Sequence, residues 1–455
     1  GSDNDEIRVD GGRKVSITTG SGSDTIVLSN TTYNNDTQVI ITDFTVGEGG
    51  DVLDYKSLLK NTAIDYNGEN PFSTGHLELE QSGKDTLIKF DADGSQGENH
   101  IQKTIAVLKN VDVTQIIANN FNPNFPPDGS LAESLFINGT EGKDEIKGGY
   151  GHDTIHGNGG DDQIDAQAGS DTVYGGTGND VIEGNFGDDV LYGESGNDRL
   201  SDDAGSNLLD GGEGHDQLNA HHGTSNQTLY GRDGDDYLSA TGKTLVLDGG
   251  AGNDNLYTNS WGIENSKNIL IGGEGNDSLN AEKSYNVDAS GGTGSDYIYA
   301  YGRIQWEQTE SIANVSFLLD GGEGNDYLNL YEDIWAPTKD ATILLNGGEG
   351  DDYIRRAGWS SRYNNLNLTM LGGVGDDHIL LHDTIQFNKT GSLLISGDEG
   401  ADFIEINASI NRWDGAENGL LKVLGGSGED TIAIGNDIGN RVDVQVDAGS
   451  DNDEI

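Results

Sequence analysis

Aspartate recurs every nine residues through one stretch of this chain. Between Gly139 and Asn219 the sequence falls into nine nonapeptides without a gap. Position six reads Asp144, Asp153, Asp162, Asp171, Asp180, Asp189, Asp198, Asn207 and Asp216. Positions one, two and four are mostly glycine, as in Gly175-Gly176-Thr177-Gly178-Asn179-Asp180. Position eight is always aliphatic, from Ile146 and Ile155 through Val173 to Leu218. Carboxylates and turn carbonyls are hard oxygen donors. Calcium takes six to eight of them without strict geometry. One turn offers too few donors and two stacked turns offer enough. Each ion is therefore expected between turns i and i+18.

The elements that would position these donors follow from the same pattern. Glycine permits positive φ and close backbone approach, so the six-residue GGxGxD segment turns sharply. The three residues that follow make a very short strand with one apolar side chain facing inward. Two nonapeptides then form one coil, and alternate turns fall on opposite sides. Turns beginning at 139, 157, 175, 193 and 211 share one side; those at 148, 166, 184 and 202 share the other.

After residue 219 the strict nonapeptide stops, but the turn returns. It places Asp236, Asp254, Asp277, Asp296, Asp326, Asp352, Asp377, Asp402, Asp430 and Asp453 at intervals of 18 to 30 residues. Each turn leads into a short strand, a variable stretch and a second apolar strand. The reading is one continuous all-β roll, with one long row of calcium sites and a short second row ending near Asn207. Asp5 and Asp24, near the start, belong to the end of such a roll. Roughly 15–18 ions are expected, one per adjacent pair of turns.

This is the GGxGxDxUx repeat of calcium-binding β-rolls. Through these turns, which cover most of its length, the chain resembles the repeats-in-toxin (RTX) family. The resemblance implies a parallel β-roll, calcium dependence, and an extracellular protein exported through a type I secretion channel. A second resemblance lies within residues 36–121. Val39–Asp54 reads VIITDFTVGEGGDVLD, an acidic Asp91-Ala92-Asp93-Gly94 turn follows, and Val113–Asn120 closes the segment as a short helix or strand end. This is similar to the C-terminal cap of type I secreted proteins, although here about 330 residues follow it. Asp91 and Asp93 either hold one more calcium or form a solvated hairpin turn.

Five segments result: 1–35, the end of a roll; 36–121, a β-rich cap; 122–135, a linker; 136–219, the regular roll; and 220–455, the continued roll with long variable loops. Pro123, Pro126 and Pro127 make the linker extended. The variable loops carry Trp261, Trp306, Trp335, Trp359 and Trp413, with Arg303, Lys339, Arg355, Arg356, Arg362, Lys389 and Arg412. These aromatics either cover local core or form a recognition surface for glycan or a cell surface. Gly1–Ile7 and Gly449–Ile455 are both GSDNDEI, so a 448-residue unit that associates head to tail with itself is expected.

Composition excludes several classes. Lys plus Arg is 25 and Asp plus Glu is 79, for a net charge of −54. Such a surface repels nucleic acid and anionic membranes. The apolar fraction is 33%, thin for a large globular core, while glycine reaches 70 residues. There is no cysteine, so thiol catalysis and zinc–thiolate sites are excluded. The single Met370 and a start at Gly1 are expected of an excised or processed piece. No apolar run is long enough to span a bilayer, and membrane insertion is not expected. No HExxH or GxSxG occurs, and Gly242-Lys243-Thr244 lacks the P-loop glycine because residue 237 is Tyr. A non-enzymatic role follows: a calcium-stabilised extracellular unit of a filament, matrix fibre, surface layer or large adhesin. The alternatives are a glycan- or surface-binding adhesin module, and the secretion and folding part of a hydrolase.

Overall fold

A computed structural model describes all residues except 10, 36, 64, 65, 67, 97–101, 222–224, 305–313, 335–337, 359, 360, 413–418, 436, 437, 440 and 441. The chain forms two compact units. One comprises Gly1–Leu191 with Ser201–Asn207, the other Tyr192–Leu200 with Leu208–Ile455. From Phe136 onward the strands form a parallel sheet of 28, and as a rule each pairs with the strand two places on. That is the signature of a coil: two strands per circuit, each lying on its counterpart in the next circuit.

In the regular stretch of the first unit the circuit is two nonapeptides. Ile155 therefore lies opposite Val173, and Ile164 opposite Ile182. All four are fully buried. Because strand side chains alternate faces, one aliphatic residue per three-residue strand suffices to fill a core only one side chain wide.

The front of the same unit repeats this logic with less regular coils. Glu6–Val9, Thr25–Leu28, Val52–Asp54 and Phe121–Asn122 stack in parallel. Lys14–Ile17, Gln38–Ile41 and Lys103–Leu108 stack beside them, and Asp85–Phe90 and Leu77–Ser82 then add in antiparallel fashion. Coiling thus continues past residue 36 into the cap segment. Short helices at Asn30–Asn34 and Lys56–Thr62 close gaps between coils. Val113–Gln115 and Ala118–Asn120 are 3-10 turns. The core of this region also takes in Ala168, Phe186 and Ala204 from the regular stretch. Tyr66 meets Phe186 edge to face, and Lys60 pairs with Asp203. The cap segment therefore rests on the side formed by the turns that begin at 166, 184 and 202.

In the second unit the circuits widen. The strand before each turn lengthens to eight or more residues, as in Thr244–Ala251 and Ser361–Val374. Inward positions line up across coils: Leu319, Leu345, Met370 and Ile395 follow one another in register. Wider coils hold more inward residues each, which is how a chain this poor in apolar residues still encloses a continuous core.

No helix among the described residues is long and apolar enough to cross a membrane.

Truncating this inward row should be costly. Leu345 is fully buried, whereas Val374 is 50% exposed. Leu345→Ala should lose about 2–5 kcal/mol, and Val374→Ala well under 1 kcal/mol. Chemical denaturation at saturating calcium measures both.

Candidate metal sites

Each turn is built around its glycines. In Gly321-Gly322-Glu323-Gly324-Asn325-Asp326 the second and fourth residues have φ of 111° and 126°, which only glycine adopts freely. Gly321 serves a different need. A β-carbon there would collide with both the Asp326 Oδ2 atom and the Gly347 carbonyl oxygen of the next coil. Those two oxygens converge on the space the missing side chain leaves. The same convergence recurs at Gly157, Gly193, Gly231, Gly272, Gly291, Gly347, Gly372, Gly397 and Gly425.

The aspartate divides its two oxygens between two tasks. Asp296 donates its backbone N–H to Asp326 Oδ1 at 2.7 Å, and Asp326 donates its own to Asp352 Oδ1 at 2.7 Å. Oδ1 is thus a rung in a ladder running from coil to coil. Oδ2 of Asp326 is buried and receives no hydrogen bond.

The ladder places the expected residues in distinct rows. In the first unit, Asp5 donates to Asp24 and Asp24 to Asp51. Asp144, Asp162 and Asp180 form a second series. Asp153, Asp171, Asp189 and Asn207 form a third, on the opposite side. In the second unit one series runs without interruption through Asp198, Asp216, Asp236, Asp254, Asp277, Asp296, Asp326, Asp352, Asp377, Asp402, Asp430 and Asp453. The first members of two series differ in the use of Oδ2. Asp144 Oδ2 accepts from the Thr140 N–H at 2.6 Å, and Asp153 Oδ2 accepts from the Gly149 N–H. Asp5 is exposed at the outer edge of its series.

Four participants escape the sequence pattern. Asp51 sits in the run read as a cap motif, yet it accepts the Asp24 N–H at 3.0 Å as any repeat aspartate does. Gly49-Gly50 before it and Val52-Leu53 after it were the available signal. Asp202 occupies position one of its turn, where glycine is usual. A β-carbon at Gly184 would meet Asp202 Oδ2 and Asp189 Oδ2 together. Asp202 thus brings a second carboxylate to the site where the row reaches Asn207, and the row does not lose its charge there. Position five forms an outer ladder, with Asn253 N–H on Asp235 at 2.7 Å and Asp376 N–H on Asp351 at 2.9 Å. Position seven lines up Tyr297, Tyr327, Tyr353, His378 and Phe403, with successive ring centres 4.9–5.1 Å apart, the three tyrosines stacked and His378 meeting Tyr353 and Phe403 edge to face.

Burial raises the proton affinity of these carboxyls. It pushes Asp171 and Asp377 up to about 8, Asp254 and Asp326 to about 7, and Asp216, Asp236, Asp277, Asp352 and Asp402 to about 6. The ladder N–H pulls the other way in every case but does not win. Burial, and then the facing Asp189 carboxylate, hold Asp202 well above the ordinary carboxylate range, while burial raises Asp189 against the hydrogen bond it shares with Asp202. Anionic Oδ2 atoms in such surroundings require a positive counter-charge. Among the described residues no three acidic or histidine side chains converge. The donor set is therefore mixed: one or two carboxylate oxygens plus main-chain carbonyls. Hard oxygens in that mixture fit calcium and suit neither zinc nor copper.

The family profile of the RTX calcium-binding nonapeptide repeat matches residues 138–173, 166–200, 192–224, 223–242, 246–260, 265–284 and 318–332. The chain carries RTX calcium-binding repeats. A search of curated proteins finds no match. The RTX geometry extends beyond the matched residues, because the turns ending at Asp352, Asp377, Asp402, Asp430 and Asp453 continue the same ladder.

The variable loops are only partly described. Trp306, Trp335, Trp359 and Trp413 lie outside the described residues, as do the side chains of Arg303, Lys339, Arg362, Lys389 and Arg412. Trp261 is 63% exposed, with Lys283 Nζ 4.0 Å from its ring centre. Arg356 does not belong to a basic surface. It is fully buried, with Nε 2.9 Å from Oε1 of the equally buried Glu332 and with Tyr363 beside both. Two wide coils leave enough interior there for an ion pair that sequence could not distinguish from surface charge.

Two outcomes follow. Asp326→Asn keeps an oxygen for the ladder but removes the charge, so the calcium midpoint of folding should rise clearly. Asp288→Asn, an exposed strand position of equal charge, should leave it unchanged. Equal shifts would mean bulk electrostatics rather than ligation. The raised carboxyls also set a pH dependence. Protonation favours the calcium-free fold; that contribution is whole below about pH 4 and is lost as pH rises toward 6–8. Calcium displaces those protons, so its apparent midpoint should rise as pH falls from 8 to 5. Titration calorimetry in two buffers of different ionisation enthalpy counts the protons released, and a count of zero contradicts the assignment.

Proposed function

We propose that this chain is a calcium-stabilised extracellular structural protein, a unit of a filament, matrix fibre, surface layer or large adhesin. The supporting observation is the second unit's continuous aspartate series. Its anionic oxygens are buried at regular intervals, in a fold whose apolar content is too low to compensate for them. Bound calcium supplies positive charge between successive coils. The chain's own contribution is to present Oδ2 and a carbonyl oxygen beside the first glycine of turns such as those at Gly321, Gly347 and Gly372, and to hold them there with the Oδ1 ladder. Roughly 15–18 ions against a charge of −54 would leave the surface far less self-repelling. Binding free energy is then largely folding free energy. A fold that forms only where calcium is plentiful suits secretion, and RTX repeat proteins are typically secreted. Nothing in the motifs suggests catalysis, and we assign none. Glycan binding is the weaker reading, since among the described tryptophans it rests on Trp261 alone.

Far-UV circular dichroism tests the proposal. The chain should be disordered in excess chelator and rich in β-structure in millimolar calcium. Equal structure in both would overturn it.

A further inference from the structure

Two sheet edges in this chain carry matching chemistry. The strand Val442–Ser450 is the last of the parallel sheet and, among the described residues, pairs on one side only, with Gly419–Ser427. Its Val444 and Val446 continue the inward row of Leu421 and Val423, which are fully buried, yet they are themselves 41% and 37% exposed. The strand Lys14–Ile17 is likewise the first of its sheet and, among the described residues, pairs on one side only, with Gln38–Ile41. Val15 and Ile17 begin the inward row that continues in Val39 and Ile41, both fully buried.

The repeated heptapeptide fixes how these edges relate. Gly449 stacks on Gly426, and Gly20 stacks on Gly1. Asp430 donates its N–H to Asp453 at 3.1 Å, and Asp5 donates its N–H to Asp24 at 2.8 Å. Thr431 bridges Glu454, and Glu6 pairs with Thr25. Gly1, Asp5 and Glu6 are the counterparts of Gly449, Asp453 and Glu454. One copy of the heptapeptide therefore presents its preceding-coil contacts, and the other presents its following-coil contacts.

We infer that a second copy of this sequence continues the roll, with Gly449–Ile455 of one copy serving as the Gly1–Ile7 of the next. Aligning the heptapeptides sets the register of the free edges without further choice. Gly449 meets Gly20, so Val446 falls opposite Ile17, Val444 opposite Val15, and Asp443 opposite Lys14. Apolar meets apolar on the inward face, and an acid meets a base. A slip of one residue would turn both valines outward, because strand faces alternate. The aspartate ladder also becomes continuous, from Asp402 and Asp430 through the shared aspartate to Asp24 and Asp51. The turn between the copies keeps its Oδ1 rungs on both sides, although its position one is Ala448 rather than glycine. Repeated, this is a heterologous contact, which builds a fibre unless its rotation closes. The inference rests on the calcium-roll reading and names its partner.

The test compares the 455-residue chain with a two-copy chain in which a single GSDNDEI is shared at the join, both in millimolar calcium. Amide exchange is read by mass spectrometry on peptides covering 442–450 and 13–17. At the join these should exchange at least about tenfold more slowly than at the free edges, and match the interior strand Gly419–Ser427. Val444→Lys with Val446→Lys should remove that protection while leaving the calcium midpoint of folding unchanged. Exchange at the join as fast as at the free edges, in a chain that still folds with calcium, would overturn the inference and spare the calcium-roll reading. Failure of both chains to fold with calcium would overturn both.

Discussion

Everything in this molecule depends on one carboxylate doing two things. Oδ1 accepts the N–H of the aspartate in the preceding coil, and Oδ2 points into the space beside a glycine. The first interaction is a neutral-donor, charged-acceptor hydrogen bond, of the kind worth about 1.5–3 kcal/mol. It sets the height and rotation of each coil relative to its neighbours. The second leaves a buried anionic oxygen, which is expensive without a cation. Coil stacking and ion binding are thereby made the same event.

That coupling explains the composition. A globular protein of this length would ordinarily rely on a broad apolar core. Here the core is a narrow stripe, one or a few side chains wide per coil, and the remaining cohesion comes from backbone ladders and from oxygen–cation contacts. The acidic surplus is the complement of the expected ions. The outer position-five ladder and the row of rings at position seven add coil-to-coil contacts outside the core stripe. Stacked and edge-to-face aromatic pairs at such spacing contribute about 0.5–1.5 kcal/mol per pair beyond their area.

Departures from the repeat are placed where the coil has other work. On the turn side against which the cap segment rests, Asp202 supplies from position one the carboxylate that Asn207 lacks at position six, while Asn207 keeps the ladder bond. The Arg356–Glu332–Tyr363 cluster fills the widened interior near the far loops. A buried ion pair of this kind adds little net stability, but removing one partner would strand the other.

The sequence by itself determined the repeat, its calcium chemistry, the coil of two strands per circuit, and the alternation of turn sides. It could do so because each depends on local spacing: a period of nine fixes which residues face in, which turn, and which donate oxygen. It did not show Asp51, whose role comes from lying one coil beyond Asp24 and not from a full motif. Nor did it show that Asp202 reaches the site beside Gly184, or that Arg356 is interior. Those depend on what a neighbouring coil brings within reach across 18 or more residues. Where coil length varies, spacing along the chain no longer specifies position in space, and only the stacked backbone decides which groups meet.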